Sequence, residues 1–178
     1  MTDIGIIGSG ISGLQLALRL QQLGIAVTLY SAQTAEELGA VRPRNFPARF
    51  GPTQRREESL GVHVWHVDDA RVHSWSITIH GEDADLEFTA ALTPPSSVVD
   101  FRVYLPHLFT EFTRRGGNAV VGPVRVDEVA GRHDLVVVAN GDRSMRELFP
   151  VDPSRSPYTT PQRVLCSGFY HGIREDVA

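Results

Sequence analysis

Residues 8–13 read Gly-Ser-Gly-Ile-Ser-Gly, a glycine pattern close to the start of the sequence. The apolar run Asp3–Ile7 precedes it and predicts a buried parallel strand. Ile11 to Leu23 follows with apolar residues at helical spacing, and residues 26–30 predict a second strand. The order of strand, glycine turn, helix and strand, over residues 3–31, is the βαβ unit that binds dinucleotides.

Each glycine of this pattern has a physical reason to be a glycine. Gly8 allows a sharp turn out of the strand, Gly10 allows the backbone to approach a pyrophosphate, and Gly13 allows the helix to pack against the strand. The helix N-terminus presents N–H groups and a partial positive charge to a phosphate. The candidate cofactor-binding residues of this loop are Gly8, Ser9, Gly10, Ile11, Ser12 and Gly13. The alternative is a glycine turn that binds no ligand.

The end of the second strand lacks the acid that usually binds the adenosine ribose of a dinucleotide. Tyr30 and Ser31 occupy that place, and both are candidate cofactor contacts. Without the acid, a plain NAD dehydrogenase is disfavoured. FAD stays open, as does NADP with Arg42 or Arg44 near the adenosine phosphate.

The composition is that of a globular protein. The chain has 178 residues, 42% hydrophobic and 21% charged, with a net charge of −4, so we expect neither nucleic acid nor a membrane as a partner. A single cysteine excludes an internal disulfide and, with no expected signal peptide, indicates a cytoplasmic protein. No histidine and cysteine spacing predicts a metal site.

All 17 basic residues are arginines. The absence of lysine excludes a P-loop lysine and a Schiff-base lysine, so phosphate binding must use arginine or backbone N–H groups.

The rest of the chain predicts further elements of an α/β fold with an inserted β-hairpin. Residues 31–52 predict a loop with Arg42, Arg44, Asn45 and Arg49 exposed or in a cleft. The predicted elements are a short helix at 53–60, a hairpin at 71–92 broken by Thr93-Pro94-Pro95-Ser96, a helix at 103–115, and strands at 118–121, 135–139 (fully buried) and 163–169. Trp75 is expected in the core or in a pocket wall.

Arg102 stands at the start of the second long helix. From there an arginine can reach the glycine loop and bind a pyrophosphate through two N–H groups. The alternative is an ion pair with Asp100.

Several motifs together resemble the N-terminal half of the styrene and indole monooxygenases. These include Val99–Tyr104, Asp134–Gly141 and Pro161–Cys166, in the same order and spacing after the glycine loop. That family consists of the oxygenase components of two-component, FAD-dependent epoxidases. The resemblance implies a Rossmann-like, three-layer FAD-binding fold of the flavoprotein monooxygenase type.

The resemblance also implies a reaction and a set of contacts. An NADH-dependent flavin reductase supplies reduced FAD, and a flavin C4a-(hydro)peroxide epoxidises a styrene- or indole-like aromatic alkene. The flavin carries the chemistry, so no side-chain acid or base is implied. By similarity Arg42 and Arg102 lie against FAD, and Asn45 and Ser96 lie near the flavin and the substrate.

Members of that family are considerably longer than 178 residues. We therefore expect residues 1–178 to form one FAD-binding domain, with the substrate half absent, in a fragment or a truncated gene product. The alternatives are an NADP-dependent reductase and a nucleotide-binding domain without turnover. The sequence leaves a homodimer open.

Overall fold

The computed structural model describes residues 2–42, 48–63, 71–141, 145, 148–156, 158–162 and 164. In chain order the elements are β1 (Asp3–Ile7), α1 (Ile11–Gln22), β2 (Ala26–Ser31), α2 (Ala35–Ala40), β3 (Ala48–Arg49), α3 (Gly51–Leu60), β4 (Arg71–Ile79), β5 (Leu86–Val98), α4 (Phe101–Arg114), β6 (Asn118–Val121), α5 (Val126–Ala130) and β7 (Leu135–Val138).

Four of the strands form a parallel sheet in the order β6-β2-β1-β7. Ile6 pairs with Leu29 of β2 on one side and with Val137 of β7 on the other. The helix α1 connects β1 to β2, as the glycine pattern predicts. This strand order is that of half of a Rossmann fold, in which ligands bind beyond the carboxyl ends of the strands.

Helices cover both faces of this parallel sheet. Alternation along β1 points Ile4 and Ile6 to the larger core, where they meet α1 and α4. On the opposite face Ile7 packs with Tyr30 and with Val129 of α5. The result is a helix, sheet and helix arrangement, the three layers expected from the sequence.

A second, antiparallel sheet has the order β3-β5-β4. Contrary to the predicted break at residues 93–96, β5 continues to Val98. Two prolines are tolerated there because the pairing register shifts: Ser74 pairs with Ala91, but Val72 already pairs with Ser96. Pro94 and Pro95 lie in the part of β5 between those partners, where no N–H is needed for the β4 ladder.

The segment predicted as a loop at 31–52 contains α2 and β3. Thr34 and Glu37 form a capping box, with the Glu37 N–H donating to Thr34 Oγ1 at 3.1 Å and the Thr34 N–H donating to Glu37 Oε2 at 2.7 Å. This reciprocal cap starts a six-residue helix that hydrophobic periodicity is too short to reveal.

Three other expectations need correction or fall outside the structure. The third helix begins at Gly51 and the fourth at Phe101, two residues earlier than predicted in each case. Strand β7 is not fully buried, because within the described part it pairs only with β1, and Leu135 is 52% exposed. Most of the predicted strand at 163–169, with Cys166, lies outside the described residues.

The hairpin of β4 and β5 exposes an apolar face. Opposite one another on it lie Trp75 and Ala90, Ile77 and Phe88, and Ile79 and Leu86. Trp75 is 40% exposed and therefore neither in the core nor in the wall of the main cavity, contrary to expectation.

Candidate functional site

A cavity of about 530 Å³ lies beyond the carboxyl ends of β1, β2, β6 and β7. It is lined by six residues predicted from the sequence: Gly8, Ser9, Gly10, Tyr30, Arg42 and Arg102. The parallel sheet brings them together because the carboxyl ends of its strands meet at one edge.

The glycine loop forms one wall of the cavity, and its glycines differ in what surrounds them. Gly8 has φ +121°, and a Cβ there would come within 2.6 Å of the Asn140 backbone. A Cβ at Gly13 would collide with the Gly8 carbonyl. At Gly10 a Cβ would meet no atom of the described residues within 4 Å. The protein therefore requires Gly8 and Gly13 for its own packing, whereas the described residues leave room for a side chain at Gly10.

The helix behind this loop presents its N-terminus without a side-chain cap. Gly10 is the N-cap residue of α1, no side chain accepts a hydrogen bond there, and the first turn carries no acid. Backbone N–H groups at such a helix start bind anions, and the helix dipole adds to the attraction. Among the other predicted loop residues, Ile11, Ser12 and Gly13 form the first turn and do not line the cavity.

Ser31 has partners within the protein. Its buried hydroxyl lies 2.6 Å from Ser9 Oγ and donates to the Gln33 carbonyl at 2.5 Å. The residue thus ties the glycine loop to the end of β2 and does not line the cavity. Gln33, which sequence analysis did not identify, lines it instead.

Tyr30 lines the cavity but is only 4% exposed, and its hydroxyl is bonded within the protein. The hydroxyl lies 2.8 Å from His133 Nε2, and His133 Nδ1 lies 2.9 Å from Asp3 Oδ2. The two rings meet edge to face, with centroids 5.6 Å apart. This chain of hydrogen bonds fixes Tyr30 at the end of β2, where other dinucleotide sites place a carboxylate.

Arg102 lines the cavity and is also paired with Asp100. Nη2 of Arg102 donates to Asp100 Oδ2 at 2.5 Å, and Nε donates to the same oxygen at 2.9 Å. The hydrogen bond from Arg102 holds the pKa of the Asp100 carboxyl below its ordinary value. Both of the roles considered for Arg102, cavity residue and partner of Asp100, are thus compatible with its position.

The remaining predicted residues are placed as follows. Arg42 lines the cavity. Asn45 and Arg44 lie outside the described residues. Ser96 is fully buried in β5, away from the cavity lining, and its hydroxyl has no hydrogen-bond partner.

Most of the cavity's apolar lining was not identified from the sequence. It consists of Ile7, Ala32, Leu38, Val41, Phe101, Leu105, Pro123, Val124 and Met145. Gly122 and Asn140 follow β6 and β7, at the carboxyl edge of the sheet where ligand contacts are expected from the sequence. Gly122 could have been identified because it directly follows a predicted strand. Nothing in the sequence indicated Leu38 and Val41, because α2 was not predicted.

A buried ionic cluster adjoins the site and was not predicted. Arg49 is buried, contrary to the expectation that it is exposed or in a cleft, and its Nη1 donates to Glu57 Oε2 at 2.6 Å. Tyr104 donates to Glu57 Oε1 at 2.5 Å and accepts from Gln15 Nε2 at 2.8 Å. We call Gln15, Arg49, Glu57 and Tyr104 the Glu57 cluster.

The part of the chain that the structure describes contains neither a metal-binding cluster nor a membrane-spanning helix. No group of three or more histidine, cysteine, aspartate or glutamate side chains is arranged to hold a metal ion there. None of the helices in that part of the chain is long and apolar enough to cross a membrane.

Comparison with known proteins places this geometry in context. Residues 141–178 match the family described as "Styrene monooxygenase A putative substrate binding domain". Styrene monooxygenase StyA from Pseudomonas fluorescens is 33% identical over 175 residues, which are 97% of this chain and 42% of that protein. The chain thus spans about two fifths of the length of this relative.

Solved structures share the fold. The flavin-dependent halogenase CmlS is 25% identical and aligns with a TM-score of 0.52 over 70% of this chain and 23% of its own. The flavin-dependent brominase Bmp2 is 19% identical, with a TM-score of 0.53 over 70% of this chain and 30% of its own. These likenesses confirm the predicted Rossmann-like α/β fold of flavin-dependent enzymes. The match to StyA extends along nearly all of this chain, which is therefore similar to about two fifths of a styrene monooxygenase.

Proposed function

We propose that this chain binds FAD in the cavity and acts in an oxygenase of the styrene monooxygenase type. The observation that carries the proposal is the open space beside Gly10, where no described residue comes within 4 Å of an added Cβ. That space lies at an uncapped helix start and in a cavity with two arginines, Arg42 and Arg102. The residues present therefore suit a dinucleotide pyrophosphate.

In this proposal the glycine loop and Arg102 hold the pyrophosphate. Backbone N–H groups at the start of α1 donate to one side of it, and the guanidinium of Arg102 donates from the start of α4. Arg42 supplies a second positive charge. An arginine suits this role because its planar group donates two parallel hydrogen bonds to a phosphate.

The cavity walls complete the binding surface. Phe101, Leu105 and Val41 supply apolar area, which favours a flat aromatic ring system over water. Reduced FAD supplies the oxygen chemistry when bound, because it activates O₂ and delivers one oxygen atom to the substrate. The residues of the chain bind and orient the flavin and exclude water from it.

The finer parts of the function follow from the resemblance. We propose that the substrate is a styrene- or indole-like aromatic alkene, which is epoxidised. We also propose that a separate NADH-dependent flavin reductase supplies the reduced FAD. The end of β2 supports a separate electron source, since Tyr30 gives an NAD ribose no carboxylate to bind.

The first test is binding. FAD titrated into the purified chain should quench flavin fluorescence and saturate at one equivalent. NADPH titrated in its place should give no saturable signal. Saturable NADPH binding without FAD binding would overturn the proposal in favour of a reductase.

The second test concerns electron supply and product. The protein that carries this sequence, given NADH, FAD, O₂ and a flavin reductase, should convert styrene or indole to the epoxide or its rearrangement product. Omitting only the reductase should abolish turnover. Fast reduction of bound FAD by NADH alone would contradict a two-component system.

A further inference from the structure

The Glu57 cluster lies behind the cavity at a point where four elements meet. Glu57 on α3 is fully buried. It accepts hydrogen bonds from Arg49 in β3 and from Tyr104 on α4. Gln15 Nε2 on α1 donates to Tyr104 and lies 3.5 Å from Glu57 Oε1. Arg49 Nη2 also donates to Ser97 Oγ at 2.7 Å, and His63 Nδ1 lies 3.2 Å from Glu57 Oε2. The guanidinium carbon of Arg49 also lies 5.0 Å from the centroid of the Tyr104 ring.

Stability alone is a weak explanation for such a cluster. Removing a carboxylate and a guanidinium from water is costly, and apolar residues of the same volume often serve as well or better. Unlike apolar contacts, hydrogen bonds are directional, so each bond of the cluster fixes the position of one atom relative to another. Burial and the bond to Glu57 raise the pKa of Tyr104, so its hydroxyl stays protonated and continues to donate.

The cluster joins the two helix starts that face the cavity. Gln15 lies two residues beyond Gly13 on α1, and Tyr104 lies two residues beyond Arg102 on α4. The Tyr104 ring also stacks on Phe101, a cavity residue, with centroids 6.4 Å apart. A shift of Tyr104 would therefore move the cavity end of α4 relative to the glycine loop.

We propose that Glu57 and Tyr104 are positioning residues that hold the start of α4 against the start of α1, and thereby set the spacing between Arg102 and the glycine loop. This inference rests on the proposed binding of FAD between those two helix starts. Neither residue touches the cavity, so they act only through the helices that they join.

The test compares Tyr104→Phe with Phe112→Leu. Tyr104→Phe keeps the ring and removes the hydroxyl that connects α4 to Glu57 and Gln15. Phe112 is fully buried at the far end of the same helix, so its replacement weakens the core without touching the helix start. FAD affinity is measured well below the unfolding temperature of each variant, together with that temperature.

If the cluster positions the site, Tyr104→Phe should weaken FAD binding by about tenfold, the effect of one hydrogen bond to a charged group. Phe112→Leu should lower the unfolding temperature at least as much and leave FAD affinity unchanged. Equal FAD affinity in the two variants would overturn the inference.

A second readout needs no flavin. Hydrogen exchange of the amides in the first two turns of α1 and α4 should speed up together in Tyr104→Phe. In Phe112→Leu it should speed up only near the end of α4. Faster exchange confined to α4 in Tyr104→Phe would overturn the inference, even if the wild-type chain were found not to bind FAD.

Discussion

Asp100 holds Arg102 at two points, because its carboxylate accepts from both the side chain and the backbone of the same residue. Oδ1 accepts from the Arg102 N–H at 2.8 Å, which caps α4, and Oδ2 accepts from Nη2 at 2.5 Å. The cap and the orientation of the guanidinium therefore depend on one side chain.

Replacing Arg102 by lysine tests whether this guanidinium binds the cofactor. Arg102→Lys should weaken FAD binding by about tenfold or more, because a lysine cannot reproduce two parallel hydrogen bonds. The matched control is Arg114→Lys, on the same helix, where Nε and Nη2 likewise donate to the carboxylate of Glu111. If both lysine variants bind FAD as the wild type does, Arg102 serves only Asp100.

Gly10→Val should separate binding from folding. Gly10 has an ordinary φ of −75°, and a Cβ there meets no atom of the described residues within 4 Å, so the variant should unfold at nearly the wild-type temperature. Its FAD affinity should fall by several kcal/mol, since the side chain occupies the space proposed for the pyrophosphate. Gly13→Ala should do the reverse and destabilise the fold, because its Cβ collides with the Gly8 carbonyl. Unchanged FAD binding in Gly10→Val would remove the main support for the site.

Tyr30→Phe tests whether the Tyr30 hydroxyl stabilises the fold or contacts the cofactor. Without the hydroxyl, His133 Nε2 loses its partner in a largely buried place, which should cost about 1–2 kcal/mol of unfolding free energy. FAD affinity should change less than twofold, because the hydroxyl is bonded to His133 and the rest of Tyr30 is unchanged. Chemical denaturation and FAD titration measure the two effects. A large loss of affinity would mean that the hydroxyl itself contacts the cofactor.

The lowered pKa of Glu111 predicts that part of the free energy of unfolding depends on pH in the acid range. Hydrogen bonds from Arg114 and Arg115 lower the pKa of Glu111 from 4.5 to about 2. A lowered folded-state pKa adds stability above the unfolded value, and this stability is lost as pH falls from about 4.5 to about 2. Glu111→Gln should therefore unfold at a lower temperature than wild type at pH 7. The difference between the two unfolding temperatures should disappear near pH 2, the folded-state pKa of Glu111.

The control for this pH effect is Asp127→Asn. Asp127 forms a similar pair with Arg125, but both side chains are largely exposed, so removal should change the unfolding temperature little at any pH. A Glu111→Gln difference that persists at the acid limit would show that the effect comes from packing and not from charge.

The apolar face of the hairpin should make the 178-residue chain bind a hydrophobic dye and self-associate. Ile79 and Phe88 are 52% and 46% exposed there, next to Trp75 and Leu86. The double variant Ile79→Thr with Phe88→Thr should bind less dye and sediment as a smaller species. Leu23→Thr, at an isolated site that is 55% exposed, should change neither property. A wild-type chain that is monomeric and binds no dye would contradict this prediction.

The sequence by itself determined the local order of the fold. The strand, glycine turn, helix and strand of residues 3–31 were predictable because apolar spacing and glycine positions are properties of neighbouring residues. The same holds for the amphipathic helix α4 and for the hairpin, whose alternation matches the observed pairing. Since parallel strands end at one edge, Tyr30 and the glycine loop could also be placed together in advance.

Only the tertiary structure decided which polar residues are buried and what they bind. Arg49 and Glu57 lie in charged, loop-like or helical stretches that look exposed, yet they pair because β3, α3 and α4 converge on one point. Ser31 was predicted to contact a ribose, but its hydroxyl is hydrogen-bonded to Ser9 and to the Gln33 carbonyl. The local sequence does not show that these groups lie within hydrogen-bond distance. β5 continues through two prolines because a partner strand shifts register beside them. Such contacts join residues far apart in the chain, so their energies depend on the packing of whole elements and leave no periodic signal in the sequence.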